Sequence, residues 1–555
     1  MQSVVNSADD SGATYASLAG KLDASLLKAV EVMGFENMTA VQHEVLQALQ
    51  PDWRNDCLVQ AKTGTGKTVA FLLPALHNLL RGEVQVPKGD VAVLIITPTR
   101  ELAQQIAQSC NALTSQLTGG NKIECHTAVG GTAKEATLNK FMKGDPKVLV
   151  ATPGRLEDYL SDGAVAKRLQ NVRTIVLDEA DTMLEVGFLG AVKNILAKLP
   201  SKAQAGWQGM CFSATLPEKV KEVVNVVLKD GYHHISTVDP NETPTHERVP
   251  QFSLTVRGVE DTFTGLLALL SEEIADSTGS KKIIVFGATA HLVGLMSDTV
   301  GQALKGVPVS RIHSRLSQAA RTRTVQEFRE AKQGVLFASD VVGRGLDFPN
   351  VDLVIQVGAP PAAAQYVHRV GRTGRAGNDG RAVILLHSLE AGWPGANPEF
   401  RIQPHPRSKE ILARAADPST QDQMRVTMRS ASQELVGRAY QSYIGYLFGL
   451  PKLLKMMGTN RPGVVQLANA MAIKGMYLEQ QPALTMNLVS KLDLKGVPGV
   501  IVTANRPRPV KGPKGPKEPK TAPPAPKPAA AKKPKSKKVI QKGPTKVLKP
   551  EWGLI

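Results

Sequence analysis

The chain has 555 residues, 42% of them apolar and 21% charged, enough for roughly two to four domains at about 150 residues each. Its four cysteines (Cys57, Cys110, Cys125, Cys211) form no Cys-x-x-Cys pair and its eleven histidines show no ligand spacing, which argues against a disulfide framework and a structural metal. No apolar run approaches the roughly 18 residues of a membrane-spanning helix, and +13 of the net charge of +18 falls in the last 50 residues.

Met1 to Ala13 carries two acids, no Lys or Arg and no apolar core, so it is expected to be neither a signal peptide nor a presequence. From about residue 25 to 390, short β-branched runs alternate with longer amphipathic stretches. The first series is Val91–Thr97, Val148–Ala151, Thr174–Leu177 and Met210–Ser213. The second is Ile283–Phe286, Gly334–Ala338, Leu353–Val357 and Ala382–Leu386. Continuous apolar strands separated by helices predict parallel sheets covered on both faces. The fold class is therefore α/β, with two parallel-sheet domains in tandem that read as structural duplicates. The expected boundaries are a flexible segment 1–14, a first domain 15–240, a linker 241–250 and a second domain 251–388. A mainly helical extension follows over 389–505, with Tyr440, Tyr443, Tyr446 and Phe448 at helical spacing; core packing is expected for most of these tyrosines. The stretch 506–555 holds 15 Lys/Arg, two acids and 12 prolines, and predicts a disordered basic tail.

Three motifs carry chemistry. Ala61-Lys62-Thr63-Gly64-Thr65-Gly66-Lys67-Thr68 follows the apolar pair Leu58-Val59 and precedes the helical run Val69–Leu80. Its glycines let backbone N–H groups turn toward phosphate at a helix N-terminus. Lys67 is placed to reach β- and γ-phosphates and the Thr68 hydroxyl to ligate Mg²⁺. Ala61 stands where the general phosphate-loop pattern has glycine. Asp178-Glu179-Ala180-Asp181 comes directly after the run Thr174–Leu177, roughly 110 residues on. At the C-terminal end of a strand, Asp178 is placed to hold Mg²⁺, partly through water, and Glu179 to orient or deprotonate attacking water. His368-Arg369-Val370-Gly371-Arg372-Thr373-Gly374-Arg375 spaces three arginines every third residue, a pattern suited to phosphoryl groups.

In this order the three motifs resemble the DEAD-box RNA helicases, over roughly residues 15–388. The resemblance implies two RecA-like domains, ATP and Mg²⁺ as cofactors, and RNA as partner, gripped by its backbone without sequence preference. By the same resemblance Phe35 packs on adenine and Gln42 reads its edge. Gly345 and Asp347 lie near the nucleotide, and Arg372 and Arg375 reach the γ-phosphate. Pro98, Thr99, Arg100, Gly130, Gly131, Thr152, Pro153, Gly154, Arg155, Ser339 and Asp340 contact RNA. Ser213, Thr215, Asp181 and His368 couple ATP state to unwinding. Phe286, His313, Gln318, Arg321 and Phe328 fall at the family's second-domain spacing. Ser339, Ser314 and Gly343 stand where Thr, Gly and Ala are usual. Tyr15 replaces an upstream Phe at an unusual spacing, and no nucleotide contact is expected of it.

The extension and tail resemble the fungal mitochondrial members that act as chaperones for structured RNAs such as introns, which implies a role in RNA splicing and the mitochondrial matrix as compartment; apart from that resemblance a nuclear or cytoplasmic location is expected, and not secretion. The core is expected to be monomeric, in a ribonucleoprotein or ribosomal setting. An ATP-gated RNA clamp with little unwinding is the alternative; identical motifs serve both. A DNA-translocating helicase is disfavoured by the Asp-Glu-Ala-Asp form.

Overall fold

The structure is a computed structural model that describes residues 10–82, 85–117, 122–185, 187–216, 220–238, 249–275, 281–340, 348–374 and 378–504. The expected Gly345, Asp347 and Arg375, most of the linker 241–250 and the tail 506–555 lie outside the described residues.

Two strands precede the first domain's main sheet: β1 (Asp10–Thr14) and β2 (Asn37–Thr39), paired antiparallel. The main sheet comprises β3 (Cys57–Gln60), β4 (Val93–Ile96), β5 (Glu124–Ala128), β6 (Pro146–Ala151), β7 (Thr174–Leu177), β8 (Gln208–Ser213) and β9 (His233–Ser236). The second domain contributes β10 (Gln251–Val256), β11 (Lys282–Phe286), β12 (Val309–Ile312), β13 (Gly334–Ala338), β14 (Leu353–Val357), β15 (Arg381–His387) and β16 (Gln403–Pro404). The first order is β5-β6-β4-β7-β8-β3-β9 and the second β12-β13-β11-β14-β15-β10-β16. Shifting the first by seven reproduces the second, so the two halves are structural duplicates, and every pairing within both sheets is parallel.

The central strands are buried on both faces, which is why their sequences read as unbroken apolar runs. One side chain set of β3, β4, β6, β7 and β8 packs under the helices Lys67–Leu80 and Arg100–Leu113; the alternate set packs beneath Pro153–Tyr159 and Leu189–Ala197.

Two expected boundaries move. Residues 10–14 are a strand of the first domain, not a free segment, and Leu18 and Leu22 just beyond join its core. The second sheet ends at Gln403–Pro404, which pairs with Phe252 and Ser253 of β10, beyond the expected limit of 388. Both strands are held through main-chain groups, so their side chains carry no strand pattern. The helices Ser408–Ala416, Pro418–Ser430 and Gln433–Phe448 pack on Thr262–Ala275 and Ala290–Ala303 of the second domain. Extension and domain share one continuous apolar core. Tyr440 and Tyr443 are buried in it, as expected of packing residues; the Tyr440 hydroxyl donates to Asn469 Oδ1 at 2.6 Å.

Candidate functional site

The sheet order separates two sets of motifs. Pro98–Arg100, Gly130–Gly131 and Thr152–Arg155 follow β4, β6's neighbour β5, and β6, three adjacent strands on one side. The phosphate loop, Asp178–Asp181 and Ser213–Thr215 follow β3, β7 and β8, three adjacent strands on the other. Open α/β sheets bind ligands beyond the C-terminal strand ends, so one edge of this sheet carries two neighbouring sites.

In the phosphate loop, Gly64 and Gly66 have φ of 81° and 87°, a left-handed turn that glycine adopts without penalty. Gly66 also lies so close to Gln42 that a Cβ there would overlap Nε2. Thr65 Oγ1 donates to Lys62 O at 2.9 Å, closing the loop on itself. Lys67 Nζ donates to the carbonyls of Ala61 and Lys62 at 2.8 and 3.0 Å. Burial lowers its pKa, Asp178, Glu179 and Asp181 oppose that shift, and Arg372 of the second domain adds to it. The lysine thus lies within electrostatic reach of both the acidic motif and the arginine motif.

Asp178 and Glu179 are both buried. Burial and the Glu179 charge raise the Asp178 pKa to about 7, against the pull of Lys67. Such a carboxylate suits a divalent cation, whose charge would hold it ionised. Among the described residues no three His, Cys, Asp or Glu side chains form a metal cluster. Mg²⁺ characteristically takes one or two carboxylates with phosphates and water, so Thr68 and Asp178 fit that ion. Glu179 has φ of 52°, uncommon for so long a side chain. Its backbone N–H donates to Asp178 Oδ1 at 3.0 Å, and Thr182 Oγ1 donates to its Oε2 at 3.4 Å.

Asp181 is the junction. Its Oδ2 accepts from Thr215 N at 3.0 Å and Thr215 Oγ1 at 2.8 Å. His368 Nε2, from the second domain, lies 3.3 Å from the same oxygen. Ser213 Oγ donates to Thr215 O at 2.7 Å, and Asp181 N donates to Ser213 Oγ at 3.3 Å. All four expected coupling residues therefore meet.

A second bridge between the domains is less visible in sequence. Arg321 pairs with Glu101, both buried, and Gln318 Nε2 donates to Glu101 Oε1 at 3.0 Å. Arg100 Nη1 donates to Gln318 Oε1 at 3.5 Å. Glu101 lies in the stretch Pro98–Leu102, which resembles an RNA-contacting motif of the first domain; its partners in the second domain are not apparent from that stretch. A third close approach sets Gly371 against Thr63 of the phosphate loop.

The arginines of the third motif divide. Arg372 is buried, and its Nε donates to His368 O at 3.1 Å. Arg369 donates from Nε and Nη2 to the two oxygens of Asp340 at 2.8 and 3.1 Å. Asp340, expected at RNA, thus has both carboxylate oxygens engaged by Arg369. Ser339 beside it has a buried hydroxyl with no partner among the described residues, a group that would welcome a polar ligand.

On the first domain's other side, Thr99 Oγ1 accepts from Leu102 N at 3.3 Å and caps the helix Arg100–Leu113. A Cβ on Gly130 would sit 3.0 Å from the Arg100 guanidinium and one on Gly131 would overlap it, so the glycine pair leaves room for that side chain. Thr152 precedes Pro153 at the first turn of its helix, and Gly154 faces open space. Arg155 donates to Thr132 Oγ1 at 3.3 Å and Thr132 O at 3.2 Å. Phe35 is half-buried, and Gln42 is buried between Thr39 and Gly66.

Comparison with known proteins agrees with this geometry. The family model for the DEAD/DEAH box helicase matches residues 39–223, and that for the helicase conserved C-terminal domain matches residues 265–377. The ATP-dependent RNA helicase mss116, mitochondrial, of Aspergillus oryzae is 58% identical over 88% of this chain and 76% of its own length. The Phaeosphaeria nodorum protein of that name is 49% identical over 89% of this chain and 87% of its own length. Among solved structures, Mss116p bound to ssRNA and AMP-PNP, lacking its NTE and C-tail, superposes with a TM-score of 0.75. It is 27% identical and covers 90% of this chain and 98% of the other. Saccharomyces cerevisiae Dbp5 bound to RNA and ADP BeF3 gives 0.60 at 25% identity, over 74% of this chain and 99% of the other. With two RecA-like domains, a phosphate loop, an Asp-Glu-Ala-Asp strand end and an arginine motif facing one another, the chain belongs to the DEAD-box ATP-dependent RNA helicases.

Proposed function

We propose that the chain is an RNA-dependent ATPase that closes its two domains on one ATP and on an RNA strand, and locally separates short duplexes as it closes. The observation that carries this reading is the Asp181 carboxylate shared by Thr215 and His368, because it ties the acidic motif, the Ser-Ala-Thr motif and the second domain to a single atom. Lys67 and the loop N–H groups hold the β- and γ-phosphates. Thr68 and Asp178 hold Mg²⁺, which supplies charge neutralisation at the phosphates. Glu179 orients the attacking water and accepts its proton. Arg372, with Arg375, neutralises charge on the transferred group. Phe35 and Gln42 take the base, with Gly345 and Asp347 near the ribose.

RNA lies along Pro98–Arg100, Gly130–Gly131, Thr152–Arg155 and Ser339. Because RNA and ATP both span the two domains, each favours the closed form and so raises affinity for the other. Hydrolysis to ADP and phosphate removes the ligand that holds closure and releases RNA. The tail 506–555 adds sequence-independent phosphate attraction, suited to a chaperone of structured RNAs. Relatives whose names include "mitochondrial" support the mitochondrial matrix as its compartment.

The test is Glu179→Gln, which preserves size and removes the basic carboxylate. ATP and RNA binding should persist while steady-state hydrolysis falls by about 10² or more. Hydrolysis near the unmutated rate would reject the assignment. The clamp reading differs in one measurement: multiple-turnover strand separation with naked RNA is expected here and would be absent from a clamp.

A further inference from the structure

Two of the four cysteines meet in the first domain. Cys110 lies in the helix Arg100–Leu113 and Cys125 in β5. Ile106, Cys110 and Leu113, spaced four and three along the helix, share one apolar cluster with Ile123, Cys125 and Val129, spaced by even numbers along β5 and its ends. That face of β5 therefore lies under the helix, while His126 turns to the other face, against Phe141. The Cys110 thiol donates a hydrogen bond to Cys125. Cys57 and Cys211 stand on the adjacent strands β3 and β8, but they belong to clusters on opposite faces of the sheet and cannot join.

The two thiols in contact differ in access. Cys110 is fully buried, and its hydrogen bond to Cys125, together with burial, holds its pKa well above the ordinary thiol value. It stays protonated and does not react first. Cys125 is half-buried on an edge strand that pairs only with β6. An oxidant therefore enters at Cys125 and finds a second thiol already beside it.

We infer that Cys110 and Cys125 form a reversible disulfide that weakens domain closure on the RNA side. The oxidant is a small-molecule disulfide such as oxidised glutathione. The Cys125 thiolate attacks one of its sulfurs, forms a mixed disulfide and expels one glutathione thiolate. Cys110 then gives up its proton, attacks the Cys125 sulfur and expels the second glutathione thiolate. The two cysteine protons pass through water to the two leaving thiolates, and two electrons pass from protein to oxidant. An S–S bond of about 2.05 Å is shorter than any hydrogen-bonded contact between sulfurs, so helix and edge strand must draw together. Both lead to the bridge between the domains. The helix begins with Arg100 and Glu101, which meet Gln318 and Arg321, and β5 runs on into Gly130 and Gly131, against Arg100. The phosphate loop follows β3, five strands from β5 in the sheet order, and is left in place.

The experiment treats the full chain with oxidised glutathione, digests it without reduction and weighs the peptides, before and after dithiothreitol. A peptide linked through Cys110 and Cys125 is expected, absent from Cys125→Ser and lost on reduction. The activity readout rests on the RNA-dependent ATPase proposed above. RNA-stimulated kcat should fall by roughly 10- to 100-fold on oxidation, in line with a misplacement of about 1 Å, and return with dithiothreitol. ATP affinity without RNA should stay within about twofold. Treated Cys125→Ser and Cys110→Ala should keep their untreated rates. Absence of the linked peptide overturns the thiol pair, and a linked peptide with unchanged kcat overturns the switch. An equal loss in Cys110→Ala would trace the effect to glutathione on Cys125 alone and overturn it as well. No RNA-stimulated hydrolysis in the reduced chain would reject the proposed function and the regulatory role with it, whereas the linked peptide would still establish the pair.

Discussion

His368 Nε2 stands 3.3 Å from the Asp181 oxygen that already accepts two donors from Thr215. Asp181 and His368 are both buried, and they belong to different domains. The contact therefore exists only while the domains are closed, and its free energy enters closure, not the folding of either half. Hydrogen bonds to charged groups are worth about 1.5–3 kcal/mol. His368→Ala should cut RNA-stimulated kcat by roughly 10- to 100-fold and leave ATP affinity without RNA within about twofold. In a double-mutant cycle, Asp181→Asn with His368→Ala should be much less than additive. Full additivity would show that the two act separately.

The Glu101–Arg321 pair makes the same argument with larger stakes. Both groups are buried in the closed form, and removing one partner of a buried ion pair costs about 3–5 kcal/mol because the other charge is stranded. With the domains apart, Glu101 would return to water. Arg321→Met should thus weaken ATP-dependent RNA binding by about 10² or more, while RNA binding without nucleotide changes little. Adding Glu101→Gln should recover part of the loss. Equal loss with and without nucleotide would place the defect in the fold of the second domain.

How far the sequence alone reveals this architecture depends on distance along the chain. Phosphate loop, acidic motif and arginine motif are contiguous stretches whose chemistry is written in eight residues or fewer, and the central strands are apolar because they are buried twice. The polar strand β5, Glu-Cys-His-Thr-Ala, sits at a sheet edge and shows no such run. The strands β1 and β16 rest on backbone pairing, which leaves no side-chain pattern. The partner of Glu101 lies 220 residues away, and only the folded arrangement brings the two together.

His313 provides a pH signature. It is buried at the end of β12, and burial, with Arg311, His291, Arg315 and Arg321 around it, lowers its pKa from 6.5 to about 4. The unfolded chain binds this proton at a higher pH than the folded one. Stability is therefore unaffected by His313 above about pH 6.5, falls as pH drops through that value, and stops falling from this cause near pH 4. Chemical denaturation between pH 7 and 4 should show a shallower loss in His313→Gln than in the unmutated protein. Parallel curves would mean that the folded and unfolded chains protonate this histidine at the same pH.

Gly371 separates closure from folding most cleanly. Its φ and ψ of −65° and 14° suit any residue, so alanine adds no backbone strain. A Cβ there would nevertheless overlap the Thr63 hydroxyl across the domain boundary. Gly371→Ala should fold, its melting temperature lowered only slightly by the 3.2 Å approach of the new Cβ to Val367 O in its own domain, and bind ATP normally without RNA. RNA-stimulated kcat should drop by about tenfold or more, in line with the roughly 1–3 kcal/mol typical of overpacking. The site offers its own control. Thr63→Ala removes the hydroxyl that the new methyl would strike, so the double variant should regain a large part of the lost rate. Recovery would establish that Gly371 is small because the phosphate loop must come within contact distance of the arginine motif. No recovery, with each domain still folded, would mean that the obstruction comes from the Thr63 backbone and that the loop cannot yield at this point.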